Sequence, residues 1–493
     1  MKVKSHYPLF INGEYVDSKN GERFDVVNPA TEEVIATAAK AAKEDVDKAV
    51  QAARTAFESG KWPKMTAAKR ARILNKIASI MRERFDDLVN AEVLNSGKTV
   101  DAAKGQINQA IEDFEFYAAA AITLQGDVNQ VPNGFFNYTV KEPVGVCGQI
   151  IPWNYPLMMA AWKVAPALAA GCTVVLKPAS YTPITAYMLA EICLEAGVPN
   201  GVVNVITGSG SEIGPYMTQH PGIDKVAFTG ETETGKDIMK RASDTLKRVT
   251  LELGGKSPNI VFDDCDLEEA VNGSLFGIFY NTGQSCEARS RLFVHESIYD
   301  EFMEMFLEKA SRVRVGDPFA KGVHMGAVIS KSHQDVIDGY VKLAVEEGGE
   351  ILYGGKVPEG GEFRKGYWYM PTIIGNVTND MRVAQEEIFG PVVVVMKFSE
   401  EEEVIRQAND TIFGLGSCIW TKDHGRAHRV SSRIRAGIVM VNCPISAFPG
   451  TPFGGYKQSG FGRELALETL NLYMETKSVV SYVGGKPLNM FGI

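Results

Sequence analysis

The stretch Val146-Cys147-Gly148-Gln149-Ile150-Ile151, followed at once by Pro152-Trp153-Asn154, reads as a strand that stops abruptly before a helix. The same change of texture recurs as far as Gly255. Residues 157–170 are helical in pattern, and 173–176 form a short β-branched run of the kind found in buried parallel strands. Residues 183–196, 212–218 and 234–243 read as helices, alternating with strands at 202–206, 225–229 and 249–253. Strands joined by helix-length segments need right-handed crossovers, and these build an open, doubly wound parallel sheet. The expected fold class is therefore α/β, with a Rossmann-like sheet at its centre.

Outward from this stretch, residues 24–37 read as two short strands around an Asn-Pro turn. Helices are expected at 43–58, 66–95 and 100–121. Residues 135–140 alternate like a half-exposed strand after the turn Pro132-Asn133-Gly134. Beyond 253 the α/β texture returns, with strands at 259–262, 291–295, 392–398 and 437–442 and helices at 297–313 and 334–347. The tail 476–482 is β-rich. A chain of 493 residues is too long for one core, so two or three domains are expected.

With 45% hydrophobic and 23% charged residues, extensive disorder is not expected. The net charge of −9 and the lack of basic runs give no footprint for a nucleic acid or an anionic membrane. The first residues, Met1 to Tyr7, lack a signal-peptide core, and Lys163, Pro166 and Gly171 interrupt the longest apolar run. Seven single cysteines without a C-x-x-C suggest a reducing, cytoplasmic setting, and no metal is expected.

Ligands of open α/β sheets bind outside the carboxyl ends of the strands. Four such ends carry suggestive residues: Ile150-Ile151-Pro152-Trp153, Lys177-Pro178-Ala179-Ser180, Gly208-Ser209-Gly210 before Gly214, and Phe228-Thr229-Gly230-Glu231. The third misses a dinucleotide fingerprint because Ile213 stands where its last glycine belongs. The fourth closes a strand and opens a helix, so backbone N–H groups could face an anion, although it also reads as a plain turn. Cys286, in Asn281-Thr282-Gly283-Gln284-Ser285-Cys286, is a candidate nucleophile. Glu252 lies 34 residues upstream in Leu251-Glu252-Leu253-Gly254-Gly255 and is a candidate base whose pKa burial should raise. The bland alternatives are a core cysteine, a solvated carboxylate and, for Asn154, a helix N-cap. Cys172 and Cys443 read as core.

IIPWNYPL, LKPA, FTGxTxTG, LELGGKSPNIV, the Cys286 segment and Gln385-Glu386-Glu387-Ile388-Phe389-Gly390-Pro391, in this order, resemble the aldehyde dehydrogenase superfamily over nearly the whole chain. The resemblance is to its NAD(P)-dependent, non-acylating members. It implies that Cys286 attacks the aldehyde and that Glu252 activates water against the thioester. The Asn154 side chain, with the Cys286 amide, would then form the oxyanion hole. Lys163 and Glu464 would form a proton path to Glu252. Lys177 would bind the adenosine ribose, Trp153 and Gly230 the pyrophosphate, and Glu387 and Phe389 the nicotinamide end. Ile150, Ile151, Pro152, Gly210, Gly214, Phe228, Thr229, Leu253 and Gly254 would complete the cofactor site. Glu231 replaces the usual serine. Ser180 replaces the glutamate common in NAD-preferring members, so NADP as well as NAD is expected to be accepted.

The same resemblance implies a cofactor domain from 1–123 and 146–252 and a catalytic domain from 253–471. Oligomerisation strands at 124–145 and 472–493 would make a homodimer or homotetramer. The substrate tunnel is expected to be lined by Tyr155, Met159, Trp162, Tyr280, Ile445 and Phe448, which suits an apolar aldehyde: aliphatic, aromatic or as bulky as retinal. Tyr155, Trp162 and Phe448 could instead cage the quaternary ammonium of betaine aldehyde. A CoA-acylating enzyme and a catalytically silent structural relative are the rival readings. Whether Glu287 and Arg289 face the tunnel is left open, small residues being common there.

Overall fold

The computed structural model describes residues 3–486 and 488–492. Its centre is an eight-stranded sheet. Five parallel strands lie in the spatial order Arg248–Glu252, Lys225–Thr229, Val146–Ile150, Thr173–Lys177 and Val203–Val205. The chain enters at the middle strand, runs to one side, then crosses to the other. Val146–Ile150 is therefore a topological switch point, where a crevice opens at the carboxyl ends. Pro156–Ala170, buried along its whole length, packs on the sheet. It ends at Gly171, whose φ of 98° no side chain-bearing residue adopts cheaply.

Two antiparallel edge strands, Leu9–Ile11 and Glu14–Val16, extend this sheet. Their turn, Asn12-Gly13, has both φ values positive, at 58° and 79°. This is a two-residue hairpin signal, and the sequence reading passed over it. The opposite edge is Gly460–Phe461. A segment expected in the catalytic domain thus returns to the cofactor sheet.

A second sheet of seven strands runs Glu350–Tyr353, Thr372–Gly375, Val392–Phe398, Arg291–His295, Pro258–Val261, Gly416–Trp420 and Ile438–Val441, all parallel except the first. Met474–Tyr482 pairs antiparallel with Phe135–Pro143, which also pairs with Val128–Asn129. Pro487 and Ile493, inside the expected oligomerisation segment, lie outside the described residues, as do Met1 and Lys2. The helix expected over 66–95 is two helices, Ala67–Glu83 and Phe85–Ser96, because Arg84 leaves helical geometry at φ −100°, ψ 18°. The strand at 437–442 ends at Val441, so Cys443 is half-exposed in a loop, whereas Cys172 is core as expected.

Candidate active site

Glu252 ends its strand level with Thr229 on the next strand. The two glycines that follow it have distinct uses. A Cβ at Gly254 would collide with the Glu387 carboxylate, and one at Gly255 with the carbonyl of Cys286. The glycine pair therefore lets the Cys286 and Glu387 segments pack close against the strand end that carries Glu252. Gly255 N–H also donates to Glu387 Oε1 at 3.0 Å. Gly254 and Leu253 are both buried, and Leu253 N–H donates to Ser459 O at 3.0 Å.

The segment before Cys286 is unusual backbone. Asn281, Thr282 and Gly283 are consecutively left-handed, at φ 52°, 59° and 68°. A β-branched threonine there is held against its preference by its surroundings. A Cβ at Gly283 would collide with the Gly390 carbonyl, so this loop rests on the Glu387–Pro391 segment. Asn281 and Gln284, polar residues of this loop, are both buried. Asn281 Nδ2 donates to the carbonyls of Asn154 and Gln284, each at 3.1 Å, and Gln284 Oε1 accepts from Ile329 N–H at 2.9 Å.

Asn154 is buried, and its Nδ2 donates to Gln284 O at 3.0 Å. Its Oδ1 has no partner among the described residues and caps no helix: Tyr155 holds the N-cap position of Pro156–Ala170. Its carbonyl takes a bond from the buried Lys98 Nζ at 2.9 Å. Burial lowers Lys98 to about 8, opposed by Glu92. No local signal marked Lys98 for this role.

Cys286 and Glu252 line one cavity of about 380 Å³. Burial pushes the Cys286 thiol well up, and the charges of Glu287, Glu387 and Glu252 add to that. Both Glu252 oxygens are buried without a partner among the described residues. Burial raises this carboxyl well above the ordinary range and Glu464 raises it further, against Lys163 and Arg463. Lys163 and Glu464 form a buried ion pair beside it, and Glu464 Oε2 is left without a partner.

Tyr155, Met159, Trp162, Tyr280, Ile445 and Phe448 all line the cavity. Tyr155 Oη donates to Ser285 Oγ at 3.0 Å, and Tyr280 stacks on Phe276 with ring centres 4.8 Å apart. Trp162 packs edge-to-face on Phe453 at 4.8 Å. Phe276, Phe453 and the helix residues Gln106, Gln109 and Glu112 also reach the cavity. They were missed because only tertiary packing brings their segments there.

Around the crevice, Lys177 is buried, and among the described residues its Nζ donates only to its neighbour's carbonyl, Pro178 O, at 3.4 Å. Burial lowers it to about 8. Ser180 Oγ donates to Gly208 O at 2.9 Å. Trp153 packs on Phe389 and His333 at 5.3 and 5.4 Å. Burial raises Glu387 to about 7. Thr232–Ala242 begins after Gly230, where a Cβ would collide with the buried Phe228 ring. Glu231 precedes that helix and is exposed, so its charge faces water. Space beside Gly210 and Gly214 is open. Ile150 and Pro152 are half-buried, while Ile151 and Thr229 are buried. An under-bonded lysine, a carboxylate holding one backbone donor and a helix N-terminus at a switch point fit a dinucleotide.

Residues 15–479 match the model of the aldehyde dehydrogenase family. The chain is 43% identical over 485 residues to the betaine aldehyde dehydrogenase of Bacillus subtilis (strain 168), covering 98% of this chain and 99% of that one. It is 46% identical to a chloroplastic aminoaldehyde dehydrogenase of Arabidopsis thaliana, covering 97% of each. Among solved structures, the betaine aldehyde dehydrogenase of Staphylococcus aureus in complex with NAD+ superposes with a TM-score of 0.97 at 41% identity, over 99% of this chain and 96% of that one.

Proposed function

Since this chain belongs to the aldehyde dehydrogenase family, we propose that it oxidises an apolar aldehyde to the carboxylic acid, with Cys286 as nucleophile and Glu252 as base. The observation that carries the reading is the shared cavity: a thiol and an unpartnered carboxyl line one apolar-walled space.

Burial holds the Cys286 thiol mostly protonated, so the thiolate that attacks is its minor form, the proton passing to solvent. The thiolate adds to the carbonyl carbon, and Asn154 Nδ2 with the Cys286 amide takes the oxyanion. Lys177, Glu387 and the helix after Gly230 would hold NAD or NADP, which would supply the hydride acceptor. Glu252 then removes a proton from water as it attacks the thioester, releasing the acid and the thiolate. The Lys163–Glu464 pair carries that proton away from Glu252. With Ser180 in place of a ribose-binding carboxylate, both cofactors are accepted.

The test is reduction of each cofactor across an aldehyde panel, with and without CoA. Cys286→Ala abolishes turnover. Strict dependence on CoA would favour an acylating enzyme, and no thiol-dependent turnover on any aldehyde would favour a structural protein.

A quaternary-ammonium aldehyde is the second reading. Tyr155 and Trp162 wall the cavity, Phe448 stands 49% exposed at its mouth, and two relatives act on betaine aldehyde by name. The sheet of Met474–Tyr482, Phe135–Pro143 and Val128–Asn129 exposes Val128, Phe136, Tyr138 and Val480. It is the surface through which a homodimer or homotetramer forms. All seven cysteines are free, which suits a cytoplasmic enzyme.

A further inference from the structure

Glu287, the residue after the nucleophile, lines the aldehyde cavity. Its Oε2 accepts from Arg289 Nη1 at 3.0 Å. Arg289 does not line the cavity and is only 2% exposed. Its Nη1 also contacts Met440 Sδ at 3.1 Å, and its Nη2 donates to Pro444 O at 2.6 Å. Its Nε fills the place where a Cβ at Gly277 would stand. The guanidinium is thus packed away from the cavity, while Glu287 forms part of its wall. Glu287 Oε1 receives no hydrogen bond from the described residues. The pair is a fixed dipole with its negative end toward the substrate.

The surrounding groups sense this division. Glu287 raises the Cys286 thiol and the Tyr155 and Tyr280 phenols, all on the cavity wall. Arg289 acts on Cys418, which is buried in the second sheet and does not line the cavity. The other charged lining residues are Glu112 and Glu252, and among the described residues no lysine, arginine or histidine lines the cavity. Among the acidic and basic side chains lining the cavity, every one is therefore a carboxylic acid.

We propose that Glu287, held in place by Arg289, sets the charge selectivity of the aldehyde site, disfavouring aldehydes that carry an anion and favouring those that carry a cation. The proposal rests on the aldehyde-oxidation reading and adds to it a residue that chooses among aldehydes. Arg289 is a positioning residue: it orients the carboxylate and ties it to the loop at Pro444.

The test uses the full-length enzyme and three aldehydes of similar length: 4-trimethylammoniobutanal, its neutral isostere 5,5-dimethylhexanal, and the anion 5-oxopentanoate. In the wild type, kcat/KM falls in that order. In Glu287→Gln the cation-to-anion ratio drops by at least about tenfold, as expected for removal of a unit charge at close range in a medium of effective dielectric about 20. Glu287→Asp keeps most of the ratio. Each ratio is taken within one preparation, so a partly folded variant does not distort it. An equal loss on all three aldehydes, with the ratio unchanged, overturns the proposal and leaves Glu287 a structural residue. No turnover of any of the three by the wild type overturns the aldehyde reading and this proposal with it.

Discussion

The backbone N–H of Gly255 donates to Glu387 Oε1 at 3.0 Å, so the carboxylate expected at the nicotinamide end is held three residues beyond Glu252, the proposed base. Burial raises that carboxyl to about 7, against the Gly255 bond and the nearby Lys256. Ribose hydroxyls donate to its ionised form. Cofactor affinity should therefore tighten as pH rises through about 7, by up to about tenfold per unit below it. The folded chain holds this proton more tightly than the unfolded one. The group's contribution to stability therefore declines from near pH 4.5 up to about 7. Glu387→Gln should flatten the affinity profile, read by cofactor fluorescence across pH.

Replacing Glu252 by Gln keeps its shape and removes its basicity. A burst of reduced cofactor should survive, while steady-state turnover falls by about 10²–10⁴-fold. Since the folded-state pKa is raised, the base is active only above it, so wild-type deacylation should climb with pH and the Gln variant should not. Stopped-flow absorbance reads both phases. Loss of the burst itself would show that Glu252 acts mainly on the thiol.

Breaking the buried Lys163–Glu464 pair from one side leaves an uncompensated charge. Lys163→Met alone should cost about 3–5 kcal/mol, and Lys163→Met with Glu464→Leu distinctly less. Denaturant midpoints compare the two. If the pair carries protons, both variants slow deacylation more than they slow the burst.

Ser180→Glu should move the enzyme toward NAD. The new carboxylate accepts from the ribose hydroxyls and repels a 2′-phosphate. The kcat/KM for NADP should fall at least about a hundredfold relative to NAD. Kinetics with both cofactors test it. A wild type that already rejects NADP several-thousandfold would show that Ser180, bonded to Gly208 O, is no determinant.

Much of the doubly wound sheet was legible because its strands are buried on both faces and bounded by turns. The strands at 225–229 and 291–295 begin and end where the pattern placed them. Less legible were the break at Arg84, which no proline or glycine announces, and the Asn12-Gly13 hairpin, a signal present but not read. The strand Gly460–Phe461 is two residues long and shows no periodicity, so its return to the first sheet could not be seen locally.

For the site, local sequence made Cys286 and Glu252 candidates through their loop and strand-end neighbours, and only the resemblance gave Asn154 a role; the structure puts the first two on one cavity and bonds Asn154 to the segment before Cys286. Which groups surround them was decided only by tertiary structure. Lys98 reaches Asn154 O across 56 residues, Phe453 meets Trp162 from the far end of the chain, and Arg289 packs away from the cavity that Glu287 lines. The physical reason is range. Backbone propensity and side-chain chemistry act within a few residues and can be read in a line, whereas burial, shared cavities and the direction of a charge arise only when distant segments pack together.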